Sequence, residues 1–165
     1  MKITTHSNGF FLIEDIHDQD DLNSISDEIN FLKRHFQFEN KITLQQIYTK
    51  PEFSNILFTN TKFFLSGFLD CYIKFFKTKK IERNTIQTNL ILFQDGINLE
   101  LIGKYNIITY ISNNSSKVSI DDYYFEINSN SSIILNNDHN FHISGNGFLI
   151  VDCVNNVKLK RSDYA

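Results

Sequence analysis

The sequence predicts an α+β fold, with N-terminal helices packed on one side of a C-terminal antiparallel β-roll. Three observations lead there. Between residues 16 and 80, apolar residues recur at spacings of three and four, the period of a helix with one buried face. From about residue 84 the period becomes extended, and Ile, Val, Tyr and Phe dominate, side chains that suit a pleated surface. Finally, the runs NIITYIS, KVSI, YYFEI, SSIIL, FHI and FLIVDCV follow one another with only short polar breaks, as in a meandering sandwich or barrel. Helices first and strands second is the α+β order. One domain over residues 1–165 is expected, with 16–80 mainly helical and 84–154 forming the barrel or roll.

Residues 9–15, GFFLIED, read as a short buried strand. A helix follows, opened by Asp18 or Asp20, whose carboxylates can cap free backbone N–H groups. Its apolar face is Leu22, Ile25, Ile29, Leu32 and Phe36. Asp20, Asp21, Asp27 and Glu28 lie early in it, and Lys33, Arg34 and His35 lie in its last turn. That charge order suits the helix dipole and gives these residues a structural role. TLQQIYT, residues 43–49, reads as a short helix stopped before Pro51. A more buried helix is expected over 61–77, with Leu65, Leu69, Tyr72 and Phe76 beside a second stripe of Phe64, Phe68, Cys71 and Phe75. The lysines that follow it complement the helix C-terminus. TIQTNLILF and INLELI open the strand region, separated by a turn at Asp95-Gly96. Ser144-Gly145-Asn146-Gly147 has the composition of a hairpin turn.

Composition bounds the function. The net charge of −3 leaves no electrostatic footprint for nucleic acid. Cys71 and Cys153 are far apart in apolar runs and read as buried reduced thiols, and the N-terminal apolar run is too short for a signal peptide. No run approaches the ~18 apolar residues of a membrane span. A soluble, cytoplasmic protein with neither nucleic-acid nor membrane partners is expected. No Gly-rich phosphate loop and no nucleophile motif occurs.

The stretch KVSIDDYYFEINSNSSIILNNDHNFHI resembles the second half of a cupin, a small double-stranded β-helix. In that family a strand, a tight turn and a second strand lead to a Gly-Asp turn, an apolar strand and a loop ending in a histidine. Here Asp121-Asp122 matches the tight turn, Ser131-Ser132 stands at the Gly-Asp position, and His142 falls on the downstream metal-ligand histidine. The family's upstream motif supplies His-x-His and a Glu; the matching NLELIGKYN, residues 98–106, contains only Glu100. The resemblance covers residues 90–154. A second one overlaps it: GFFLIEDIHDQDDLNSISDEI is similar to the start of iron- and 2-oxoglutarate-dependent oxygenases of the prolyl-hydroxylase type. TNLILFQDGINLELI is similar to the region before that family's His-x-Asp, but Ile102 and Lys104 stand at the matching places. The strand expected to carry a 2-oxoglutarate-binding cation, FLIVDCV, has no Arg or Lys.

Together these readings imply a non-catalytic cupin-like domain that binds a small molecule or a protein partner and lacks the usual metal triad. Alternation places Tyr105, Tyr110, Tyr124 and Phe141 as candidate pocket-lining residues. No cofactor is the first expectation. The alternative is a diverged mononuclear-metal enzyme, an oxygenase or an isomerase, with iron, nickel or zinc held by His142, His139 and Glu100. In a regular strand, His139 and His142 would point to opposite faces, so joint ligation needs a turn at Asn140. A third option is an interaction protein that forms a homodimer through an exposed strand edge.

Overall fold

The structure, a computed structural model, describes residues 1–35, 41–43, 75–76, 86–155 and 158. One helix, α1 (Gln19–His35), stands among the strands β1 (Lys2–Thr5), β2 (Phe11–Glu14), β3 (Lys41–Thr43), β4 (Gln87–Phe93), β5 (Ile97–Leu99), β6 (Tyr105–Ile111), β7 (Ser116–Ile120), β8 (Tyr123–Ile127), β9 (Ser131–Asn136), β10 (Phe141–Ile143) and β11 (Gly147–Val154). They form two sheets. The larger has the order β1-β2-β9-β6-β11-β4-β3 and the smaller β5-β10-β7-β8. From β4 to β11 the chain crosses repeatedly between the sheets, which is the winding of a double-stranded β-helix.

Every pairing between described strands is antiparallel. Period-two alternation gives the large sheet two buried faces. Ile108, Tyr110, Ile133, Leu149 and Val151 point between the sheets and meet Val118, Ile120, Phe141 and Ile143 of the small one. Ile107, Ile134, Phe148 and Ile150 point the other way, where Ile25 and Ile29 of α1 cover them. This double burial explains why β9 and β11 read as continuous apolar runs.

Three expectations need correction. The barrel is not closed: among the described residues no edge strand of one sheet pairs with the other, and the sheets are held face to face by the apolar core. Packing by several N-terminal helices is not what the described residues have. One helix covers the large sheet, and the expected 16–80 helical segment includes β3, which takes the free edge of β4. Of the second expected helix only Phe75 and Phe76 are described, in a 3₁₀ turn and a single β-bridge; the rest of it, and residues 44–49, lie outside the described residues. The turn at residues 144–147 is a crossover, since β10 and β11 belong to different sheets. It is bonded to the β4–β5 crossover: Gly96 N–H donates to Gly145 O at 2.9 Å and Asp95 N–H to Asn146 Oδ1 at 3.1 Å.

Asp18 caps α1 as expected, accepting the Asp21 N–H at 2.8 Å. The chain entering α1 is fixed from far away. Asn130 accepts the His17 N–H at 2.9 Å and donates to the His17 carbonyl at 2.8 Å. Asn130 sits at φ 66°, a conformation Asn tolerates better than most residues. This clasp ties the entry of α1 to the turn between β8 and β9, while Ile25 and Ile29 pack its body onto the large sheet.

Candidate functional site

The proposed metal ligands lie at the small sheet. Phe141 and Ile143 of β10 point into the core, so alternation turns His142 outward. There its Nδ1 meets Asn98 Oδ1 of β5 at 2.9 Å, across the register pair Asn98–His142. His139 lies in the loop before β10, and its Nδ1 is 2.7 Å from Asp121 Oδ2 in the β7–β8 turn. Asp121 also accepts the Asn140 N–H at 2.8 Å and donates its own N–H to Asn140 O at 2.9 Å. The Asn140 N–H, and then the His139 ring, hold the Asp121 carboxyl below its usual range. The two histidines are therefore engaged separately. Among the described residues no three His, Cys, Asp or Glu side chains come together to hold a metal ion; His142, His139 and Glu100 do not converge. As placed, these three residues do not form a mononuclear metal site.

The four candidate lining residues also separate. Tyr110 and Phe141 are buried between the sheets, and the Tyr110 hydroxyl donates to Asn114 O at 2.9 Å. Tyr105 lies on the opposite face of the large sheet, its ring 5.8 Å from that of Phe76. Tyr124 is 76% exposed on β8. The space between the sheets is occupied by aliphatic and aromatic side chains packed against one another.

An open space lies elsewhere, on the helix side. A cleft of about 550 Å³ runs between α1 and the ends of β4, β6 and β11. Leu22 and Ile29 of α1, with Ile111 and Phe148 of the sheet, give it an apolar floor. Gln19 and Asn30 of α1, Gln94, Ser112, Asn113 and Asn146 give it a polar rim. Its walls follow from the fold. β6 stops at Ile111 and β11 starts at Gly147, so the flanking turns lift their amides and hydroxyls beside the helix. None of the described lining residues carries a formal charge. The signal for this site was faint: Gln19, Ser26 and Asn30 form a neutral polar strip along α1, while charges occupy much of the rest of its exposed surface.

No protein-family model and no curated protein sequence matches the chain. Solved structures do. A prolyl-4-hydroxylase from Pseudomonas putida superposes with a TM-score of 0.51 over 93% of each chain, at 5% sequence identity. A Cupin 2 conserved barrel domain protein from Salinispora arenicola matches with a TM-score of 0.36 and 9% identity, over 42% of this chain and 64% of its own. A salicylate 1,2-dioxygenase from Pseudoaminobacter salicylatoxidans matches with a TM-score of 0.35 and 5% identity, over 41% of this chain and 20% of its own. The chain thus spans less than two thirds of the last two. Among the described residues no helix is long and apolar enough to cross a membrane.

Proposed function

Starting from a cupin-like fold whose interior is packed with its own side chains, we propose that this chain is a non-catalytic domain that binds a small uncharged molecule in the cleft beside α1. The observation that carries the reading is the cleft itself: about 550 Å³, with an apolar floor and a neutral polar rim. That volume is in the ~300–1,000 Å³ range of ligand pockets. The rim offers amide and hydroxyl donors and acceptors. A ligand with hydroxyl or amide groups can replace their water bonds one for one. An ionised ligand would be desolvated there without a counter-charge from any described lining residue.

The test is a thermal-shift screen with uncharged polyols, sugars and small amides, run beside Ser26→Trp. Ser26 is exposed on the α1 side of the cleft, so the indole fills the space without entering the core. Hits that stabilise the wild type and leave S26W unmoved support the reading. Stabilisation only by charged ligands, or equal stabilisation of S26W, contradicts it.

A second reading, a diverged mononuclear-metal oxygenase or isomerase, draws its support from the likeness of fold to the Pseudomonas putida prolyl-4-hydroxylase. Metal content separates the two. About one iron, nickel or zinc per chain, lost in His142→Ala, would move the protein to the second reading.

A further inference from the structure

β8 closes one edge of the small sheet, and among the described residues no strand lies beyond it. Its residues are Tyr-Tyr-Phe-Glu-Ile, with no proline or lysine, so it lacks two common guards of an exposed edge. Its inner side is anchored. The Phe125 ring stacks 5.6 Å from Phe10 and 5.9 Å from His6, and Ile127 is in the core. Its outer side is open: Tyr124 is 76% exposed and Glu126 is exposed.

The register fixes which backbone groups face outward. Asp121 and Asp122 alone connect β7 to β8, so the flanking pair Ile120–Tyr123 exchanges both of its hydrogen bonds. Alternation makes Val118–Phe125 and Ser116–Ile127 bonded pairs as well. Tyr123, Phe125 and Ile127 therefore use their N–H and C=O groups on β7. Tyr124 and Glu126 turn theirs to the free edge.

We propose that this edge pairs antiparallel with the β8 edge of a second copy of the chain, about a two-fold axis at Phe125. That axis sets Tyr124 opposite the second copy's Glu126, and Glu126 opposite the second copy's Tyr124. These are the residues whose outward N–H and C=O groups are available, so both pairs exchange their backbone bonds. The side chains match in the same register. Each Tyr124 hydroxyl donates to a facing Glu126 carboxylate, whose Oε1 is already held by the Ser115 hydroxyl of its own chain. This self-complementarity selects a second copy over an arbitrary extended peptide. The contact is small beside the ~1,600 Å² of a standard interface, so the dimer is weak and concentration-dependent.

Sedimentation velocity over about two decades of protein concentration tests it. The wild type shifts toward dimer as concentration rises. Tyr124→Glu sets a carboxylate opposite the second copy's Glu126 and Tyr124→Lys sets an opposite charge there; both remove the same ring. The proposal expects Y124K to dimerise at least about tenfold more tightly than Y124E, a gap that narrows at high salt. Tyr124→Pro deletes an N–H that β7 does not use, and abolishes the dimer while the circular dichroism spectrum is retained. A wild type that stays monomeric throughout overturns the proposal, and so does a dimer indifferent to Y124E against Y124K. Should Y124P unfold, the comparison of the two charged variants decides alone.

Discussion

Glu28 is the most exacting place to test the packing of α1. It lies on the buried side of the helix, 5% exposed, and among the described residues its Oε2 has no hydrogen-bond partner. Burial pushes its carboxyl from 4.5 up to about 8. At ~1.4 kcal/mol per pH unit, that displacement sets a ceiling of about 5 kcal/mol. The sign follows from the proton. Below pH 4.5 the carboxyl is protonated in both folded and unfolded chains and costs nothing. Between 4.5 and about 8 the unfolded chain has lost a proton that the folded chain keeps, so stability falls as pH rises. Above 8 the folded chain holds a buried carboxylate at full cost. Glu28→Gln keeps the shape and cannot ionise. Urea unfolding followed by circular dichroism at pH 5 and pH 8 measures the difference. E28Q should gain on the wild type between the two conditions, by at most about 4 kcal/mol. His6 and His17, whose imidazoles burial holds below their usual value, contribute the opposite slope, but equally in both proteins. If the wild type and E28Q differ by the same amount at both pH values, Glu28 is solvated and the packing described for α1 is wrong.

Two further predictions concern single residues, one at the entry to α1 and one in the loop before β6. Asn130→Gly keeps the positive φ accessible and removes only the side-chain clasp on His17, so it should cost about 1–3 kcal/mol by urea unfolding and weaken any cleft ligand; no loss of either would show that α1 is placed by other contacts. At Gly103 an added Cβ would lie 2.6 Å from the Tyr105 carbonyl and 2.9 Å from Cys153 Cα, both backbone atoms. Gly103→Ala should therefore destabilise by roughly 1–3 kcal/mol, and a neutral substitution there would contradict the observed approach of the 101–104 loop to β11.

Much of the fold was legible because its signals are local. The β4 and β6–β11 runs lie within a residue or two of their predicted places, since apolar periodicity is set by the faces each strand buries. Asp18 was readable as a cap because capping needs only its own helix. What failed was long-range. β1 is a polar strand, Lys-Ile-Thr-Thr, and it exists through pairing with β2. The turn at 144–147 announces a reversal, but nothing in four residues says that the chain changes sheets. The site was hidden for the same reason. Its amides and hydroxyls carry no spacing motif, and its wall is a helix whose entry is bonded to Asn130, 113 residues away. His142 was found for its chemistry, but its outward direction depends on the register with β5.

On the proposal above, the cleft beside α1 is where this domain meets its ligand. The most direct measurement is a titration of ¹⁵N-labelled protein with an uncharged hydroxylated or amide ligand, read by amide chemical shifts. Saturable shifts are expected at Asn30, Ser112, Asn113, Asn146 and Gly147, with little change at Phe141 or His142. Saturable shifts centred instead on Tyr110, Phe141 and His142 would place the ligand between the sheets or at the small sheet, and would contradict it.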